Sequence, residues 1–147
     1  MLVVAAAAAV LVSRRAEPVK PLVDGVTDDP ATASILARSC QDCHSDRTRR
    51  PWYGHIPPAS WLLNSDIQAA RSHVDLSQWS KYSADDKRQI LTSIAANVRN
   101  NVMPPGRYIF MHPDARLSAE EVARIYSWTR SERRRLRAQA ETGGNAR

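Results

Sequence analysis

From position 30 to about 138, apolar residues recur at intervals of three and four without a strand-like alternation, so the pattern predicts helices. Asp29 before Pro30 is a helix-start signal, a side-chain cap followed by proline at the first helical position. The short helix it opens carries Ile35 and Leu36 and runs into Cys40. Arg47 to Pro58 is a loop holding Pro51, Gly54, Pro57 and Pro58; Pro58 or Ala59 then opens a second helix with Trp61, Leu62, Ile67 and Ala70. A third helix starts near Ser83 and repeats Ile90, Leu91, Ile94 and Val98 at helical spacing. It must stop before Met103-Pro104-Pro105, because proline disfavours helical geometry in the residue before it. Ser118 and Glu121 form a capping box for a final helix, on which Val122, Ile125, Tyr126 and Thr129 share a face. The expectation is one all-α domain of about four helices over residues 30–138.

The flanks read differently. Met1 to Val12 are apolar and Ala-rich, too short for the roughly 20 residues that span a bilayer but suited to the apolar part of a secretory signal. Arg14 and Arg15 follow the run instead of preceding it, which excludes a twin-arginine signal and points to a truncated signal or anchor over residues 1–16. Residues 17–29, with Pro18, Pro21 and Gly25, read as an extended linker, and residues 139–147 as a disordered tail. An exported protein is expected, either periplasmic or held at the outer face of a bacterial inner membrane, with the N-terminal segment as a membrane anchor in the second case.

Composition refines this picture in two places. The 147 residues include one Phe against four Trp and four Tyr, a thin core to which a buried porphyrin would add apolar volume. The net charge of +6 favours acidic partners or anionic surfaces. Arg130, Arg133, Arg134, Arg135 and Arg137 cluster, but at the end of an amphipathic helix, where cations suit the negative end of the helix dipole. They form no nucleic-acid-binding motif, and nucleic acid is not an expected partner.

The chemistry lies in Cys40-Gln41-Asp42-Cys43-His44, the C-x-x-C-H form of c-type haem attachment. One turn of chain places two thiols against the two vinyl groups of one porphyrin, and the next residue, His44, beneath the iron. A structural zinc site needs four ligands, and adjacent Cys43 and His44 are poorly placed to share a tetrahedron. A thioredoxin-like pair needs a βαβ context, and a plain disulfide leaves His44 without a role. Both cysteines of the chain are used in this motif. One covalent haem c is therefore the expected cofactor.

A sixth ligand should come from the opposite side. Met103 ranks first, since the two prolines after it stiffen a segment that could cross the haem face. His112 ranks second and Met111 third; His55 and His73 read as exposed or hydrogen-bonded structural residues. Trp52, Tyr53, Trp61 and Tyr108 are expected to wall the ring, and Arg49, Arg50 or Arg107 are candidates for its propionates. A carbonyl within Ile56-Pro57-Pro58 is the candidate acceptor for the second imidazole N–H of His44.

From about Ile35 to Arg130 the chain resembles the bacterial haem-binding-domain family of monohaem c-type proteins. The matching blocks are Cys40 to Ser45, Pro51-Trp52-Tyr53, Ile56 to Leu62, Met103-Pro104, Tyr108, Met111-His112-Pro113 and Leu117-Ser118. Arg50 departs from it, standing where the family usually carries Trp, which leaves open whether that part of the loop packs on the haem or faces solvent. The resemblance implies an export signal or anchor and a cytochrome c-like helical fold around one haem. The expected role is one-electron transfer with a redox protein whose docking surface is acidic, a carrier and not a catalyst. A haem-based sensor or peroxide-handling protein with a labile sixth ligand is the alternative. A haem-binding subunit docked on a larger oxidoreductase is a third class.

Overall fold

The computed structural model describes residues 21–144. The signal or anchor segment 1–16, the first part of the linker and the last three residues of the tail lie outside the described residues. Six α-helices follow in order: α1 (Pro30–Ser39), α2 (Gln41–His44), α3 (Ala59–His73), α4 (Ala84–Arg99), α5 (Gly106–Met111) and α6 (Ala119–Gly144). Three 3-10 turns interleave with them, at Trp52–His55, Leu76–Lys81 and Pro113–Ala115. Among the described residues all regular structure is helical. The expected count of about four is corrected to six; the four long helices lie where the periodicity placed them. The additions, α2 and α5, are too short to carry a periodic signal.

The helix ends follow from local chemistry. The Asp29 carboxylate accepts from the Thr32 amide at 3.1 Å and the Thr32 hydroxyl at 2.5 Å, capping α1. Ser83 and Asp86 exchange bonds in a reciprocal capping box at the start of α4. Ser118 and Glu121 do the same before α6, at 2.9 and 3.2 Å. At its other end α4 stops before its prolines are reached. Asn101 takes a left-handed φ of 54°, the Val102 amide donates back to the Asn97 carbonyl at 2.9 Å, and the Asn101 amide donates to Val98 at 3.2 Å. These two bonds are a Schellman closure with asparagine in the place glycine usually takes.

The core is built on α4 and α6. Arg133 of α6 donates to Thr92 of α4, while Arg99 of α4 lies over the ring of Tyr126, so the two helices run antiparallel. Leu91 and Ile125 are fully buried, joined by Val98, Trp128 and Leu136. Each such side chain contributes on the order of 2 kcal/mol by leaving water. Tyr126, expected on the buried face, sits at its edge under Arg99. Leu36 of α1 and Leu76 and Trp79 of the second 3-10 turn complete the cluster.

Two boundaries move. Leu22 and Val26 are buried in the same core, so residues 21–29 are packed structure and not an extended linker. Gly25, at φ 78°, supplies the left-handed turn between them. Arg47 fixes this segment by donating to the Pro21 carbonyl at 3.0 Å. At the other end α6 continues to Gly144, through positions expected to be disordered. Ala138, Gln139, Ala140 and Glu141 are good helix formers, and propensity extends the helix beyond the apolar stripe. Among the described residues no helix is long and apolar enough to cross a membrane.

Candidate functional site

Cys40 breaks α1 at φ −127° and ψ −39°, and its carbonyl then accepts from the Cys43 amide at 3.3 Å and the His44 amide at 3.1 Å. The five residues of C-x-x-C-H thus close into one turn. Its two variable residues face the protein: Gln41 is 1% and Asp42 8% exposed, while Cys40, Cys43 and His44 are half-buried. Gln41 accepts from the Val23 amide at 3.2 Å, and the buried Ser45 hydroxyl donates to the Gln41 carbonyl at 2.8 Å. Burial pushes the Cys40 thiol up to about 12 and the Cys43 thiol up to about 11. Both sulfurs are therefore protonated thiols at neutral pH.

His44 is oriented by a carbonyl other than the expected one. Its Nδ1 lies 3.0 Å from the carbonyl oxygen of Val74, the residue that ends α3, and the Ile56–Pro58 carbonyls do not take this part. A carbonyl only accepts, so Nδ1 carries the proton and Nε2 keeps a free lone pair. Helix α3 supports the turn a second time. Arg71 donates to the Ser45 carbonyl and, at 2.9 Å, to the Thr48 hydroxyl. Its Nε is buried with no partner among the described residues, an unused donor beside the C-x-x-C-H turn.

Asp42 links this turn to α5. Its carboxylate holds the Arg49 guanidinium, with Nη2 to Oδ2 at 2.8 Å and Nε to both oxygens, and accepts from the Tyr108 hydroxyl at 3.0 Å. The Tyr108 ring stacks on His112, centroids 4.5 Å apart and planes 23° apart. The second nitrogen of that imidazole, Nε2, lies 2.7 Å from the Tyr53 hydroxyl. Burial raises both phenols and lowers His112, keeping the hydroxyls protonated and the imidazole neutral. Next to Tyr108, Arg107 forms a two-point pair with Asp66 of α3 at 2.7 and 3.1 Å. The segment after Met103 is thereby pinned to α2 and α3 by adjacent residues.

The structure brings together Cys40, Cys43, His44, Tyr53, Tyr108 and His112. Trp52 meets the Tyr53 ring edge-on at 5.9 Å. Met103 and Trp61 stand apart from the hydrogen-bonded network: Met103 is half-buried with its amide on the Asn97 carbonyl at 3.2 Å, and Trp61 is exposed. Met111 is exposed, as are His55 and His73. The three candidate propionate arginines are engaged within the protein, Arg49 to Asp42, Arg107 to Asp66, and Arg50 to the Gly54 carbonyl and Asn64. Arg50 is exposed, so its part of the loop faces solvent. Sequence reasoning missed Asp42, Asp66, Arg71 and Val74, whose partners are 7 to 66 residues away in the chain.

A haem fits this chemistry. Among the described residues no group of three or more His, Cys, Asp or Glu side chains is gathered to hold a metal ion. A porphyrin brings four nitrogens of its own and asks the chain for one oriented imidazole and an apolar wall. The large hydrophobic residues left exposed are Trp52, Ile56, Trp61, Leu62, Val102, Phe110 and Met111, with Tyr126 under Arg99. All but Tyr126 come from the two segments 52–62 and 102–111, which the Tyr53–His112 contact draws together. Exposed apolar patches of this kind mark binding surfaces.

Comparison with known proteins agrees. Cytochrome c peroxidase Ccp of Escherichia coli strain K12 is 28% identical over 111 residues, covering 74% of this chain and 24% of that protein. The chain thus spans about a quarter of the length of that relative. No solved structure matches it. A family described as the haem-binding domain matches residues 2–131, nearly the whole chain, and the protein belongs to that family.

Proposed function

We propose that the protein is a one-electron carrier with a single haem c. Cys40 and Cys43 would hold the porphyrin as two thioethers, each thiol adding its sulfur and its hydrogen across one vinyl group with no net oxidation. His44, through Nε2, and Met103 would be the residues that hold the iron. A bound haem would supply a one-electron couple, and Met103 as a thioether ligand would raise its reduction potential.

The chain does the rest. The Val74 carbonyl holds the His44 tautomer at 3.0 Å, and this is the observation that carries the proposal, since it leaves the iron-binding nitrogen free. Arg107 and Tyr108 tie the Met103 segment to the elements around the attachment turn. Trp61, Leu62, Ile56 and Val102, all exposed, would be the apolar side chains available to exclude water from the ring. We place the protein in the periplasm or at the outer face of the inner membrane, with an acidic redox partner. The experiment is acid–acetone extraction of protein matured in a competent host, followed by spectra of both oxidation states. Haem should stay on the polypeptide, and a weak far-red sulfur-to-iron band should vanish in Met103→Ala. A colourless pellet removes covalent attachment.

The similarity to a cytochrome c peroxidase supports a second reading, in which the sixth position is labile and peroxide is handled there. Rapid binding of carbon monoxide or peroxide by the unmutated holoprotein decides for it.

A further inference from the structure

His112 stands close to the C-x-x-C-H turn, yet its Nε2 and one face of its ring are occupied. Its Nε2 is bonded to the Tyr53 hydroxyl at 2.7 Å. Its ring lies flat on Tyr108, 4.5 Å between centroids. Tyr108 is in turn fixed through its hydroxyl to Asp42, the residue between the haem-binding Cys40 and Cys43, at 3.0 Å. His112 therefore sits one aromatic ring away from the motif, held from two sides by residues of different elements: Tyr53 from the 3-10 turn Trp52–His55 and Tyr108 from α5. Whichever tautomer it adopts, Nε2 is engaged in a short hydrogen bond and has no lone pair to offer.

An imidazole is a stronger ligand for ferric iron than a thioether, so a free His112 in this place would compete with Met103. We propose that Tyr53 and Tyr108 are specificity-determining residues for iron ligation: they form a latch that keeps His112 off the sixth position and reserves it for Met103. The inference rests on the Met103 reading above and deepens it by naming what enforces the choice. Neither tyrosine touches the iron in this scheme; both are positioning residues that act through His112. Removing the Tyr53 hydroxyl frees Nε2 while keeping the ring that packs against Trp52.

The test uses the full-length holoprotein in its ferric state. The unmutated protein should carry the far-red sulfur-to-iron band. Tyr53→Phe should lose at least half of that band's intensity and gain the near-infrared and paramagnetic-resonance signature of two imidazole ligands. Tyr53→Phe combined with His112→Ala should regain the band. Helix content measured by circular dichroism should be equal in all three. A Tyr53→Phe protein with the band at full strength, or a double variant that does not recover it, overturns the latch. The unmutated spectrum reports separately on Met103: if it lacks the band, the ligand assignment fails, and the latch with it. Should Tyr53→Phe not mature, Tyr108→Leu removes the stacking ring instead and must give the same shift towards two imidazoles; an unchanged band there overturns the proposal.

Discussion

Asp42 occupies a variable place in C-x-x-C-H, yet its carboxylate is the most heavily used group around the motif. It takes the Arg49 side chain through both oxygens, the Arg49 amide at 3.0 Å and the Tyr108 hydroxyl at 3.0 Å. The pair is mostly shielded from water, with 10% of the Asp42 side chain and 16% of the Arg49 side chain exposed. Removing one charge from a buried pair leaves the other without compensation, a penalty that outweighs the mutual attraction lost. Asp42→Asn should therefore cost about 2–3 kcal/mol, discounted from a fully buried pair, read as a lower urea midpoint at unchanged slope. A cost below about 0.5 kcal/mol would mean that water already reaches the pair. Gly54 is the other residue with a sharp expectation. A Cβ there would lie 2.7 Å from Cδ2 of Leu63, so Gly54→Ala must push that side chain aside. The obstacle is the end of a flexible chain, and the loss should stay near 1 kcal/mol by the same measurement. A loss above about 3 kcal/mol would show that the Trp52–His55 turn itself gives way.

The elements differ in how far the sequence spells them out. Helices α1, α3, α4 and α6 each span two turns or more, long enough for an apolar period to show and for Asp29, Ser83 and Ser118 to mark their starts. Helices α2 and α5 hold 4 and 6 residues, and no periodicity exists at that length. The cysteine motif is legible because C-x-x-C-H is a pattern of five consecutive residues. The support around it was not: Val74 for His44, Asp66 for Arg107 and Arg71 for Ser45 are tertiary pairings that no local pattern encodes. Two expectations belong to this scale. Leu91 of α4 is fully buried against α6, so Leu91→Ala should cost about 2–5 kcal/mol through lost burial and the cavity left behind. Chemical denaturation of the holoprotein measures it, and a smaller effect would mean that the two helices close over the gap. The second concerns the cap of α1, the helix that delivers Cys40. Hydrogen bonds from the Thr32 side chain, then from its amide, hold the Asp29 carboxyl below its ordinary 3.8. The folded state thus binds this proton less readily than the unfolded chain. Its contribution is present above pH 3.8 and fades as pH falls through the lowered folded value. Asp29→Asn should reduce the fall in urea midpoint between neutral pH and about pH 3; an unchanged fall would assign the acid sensitivity to other carboxylates.

At the scale of the whole molecule, two surface features would govern an encounter with the proposed redox partner: an apolar rim and a positive charge. The rim includes Phe110, 85% exposed, and Met111, 47% exposed, on the segment that α5 presents beside the C-x-x-C-H turn. The charge is +6 over the chain, with exposed Arg130, Arg134 and Arg137 at i, i+4 and i+7 along one stripe of α6. Apolar contact sets how long a complex lasts and varies little with salt, whereas net charge sets how fast an oppositely charged partner arrives. The screening length shrinks from about 30 Å at 0.01 M ionic strength to about 8 Å at 0.15 M, which removes the long-range part of that attraction. If the carrier role is right, electron exchange with an acidic redox protein should slow by about tenfold over this range in stopped-flow measurements. Reduction by a small uncharged donor should stay constant, because it has no field to follow. Charge reversal at Arg134 and Arg137 should flatten the salt dependence if the α6 stripe steers the encounter. A dependence that survives those substitutions would place the docking field elsewhere on the molecule. A rate indifferent to salt in the unmutated protein would leave the apolar rim as the whole of the recognition surface.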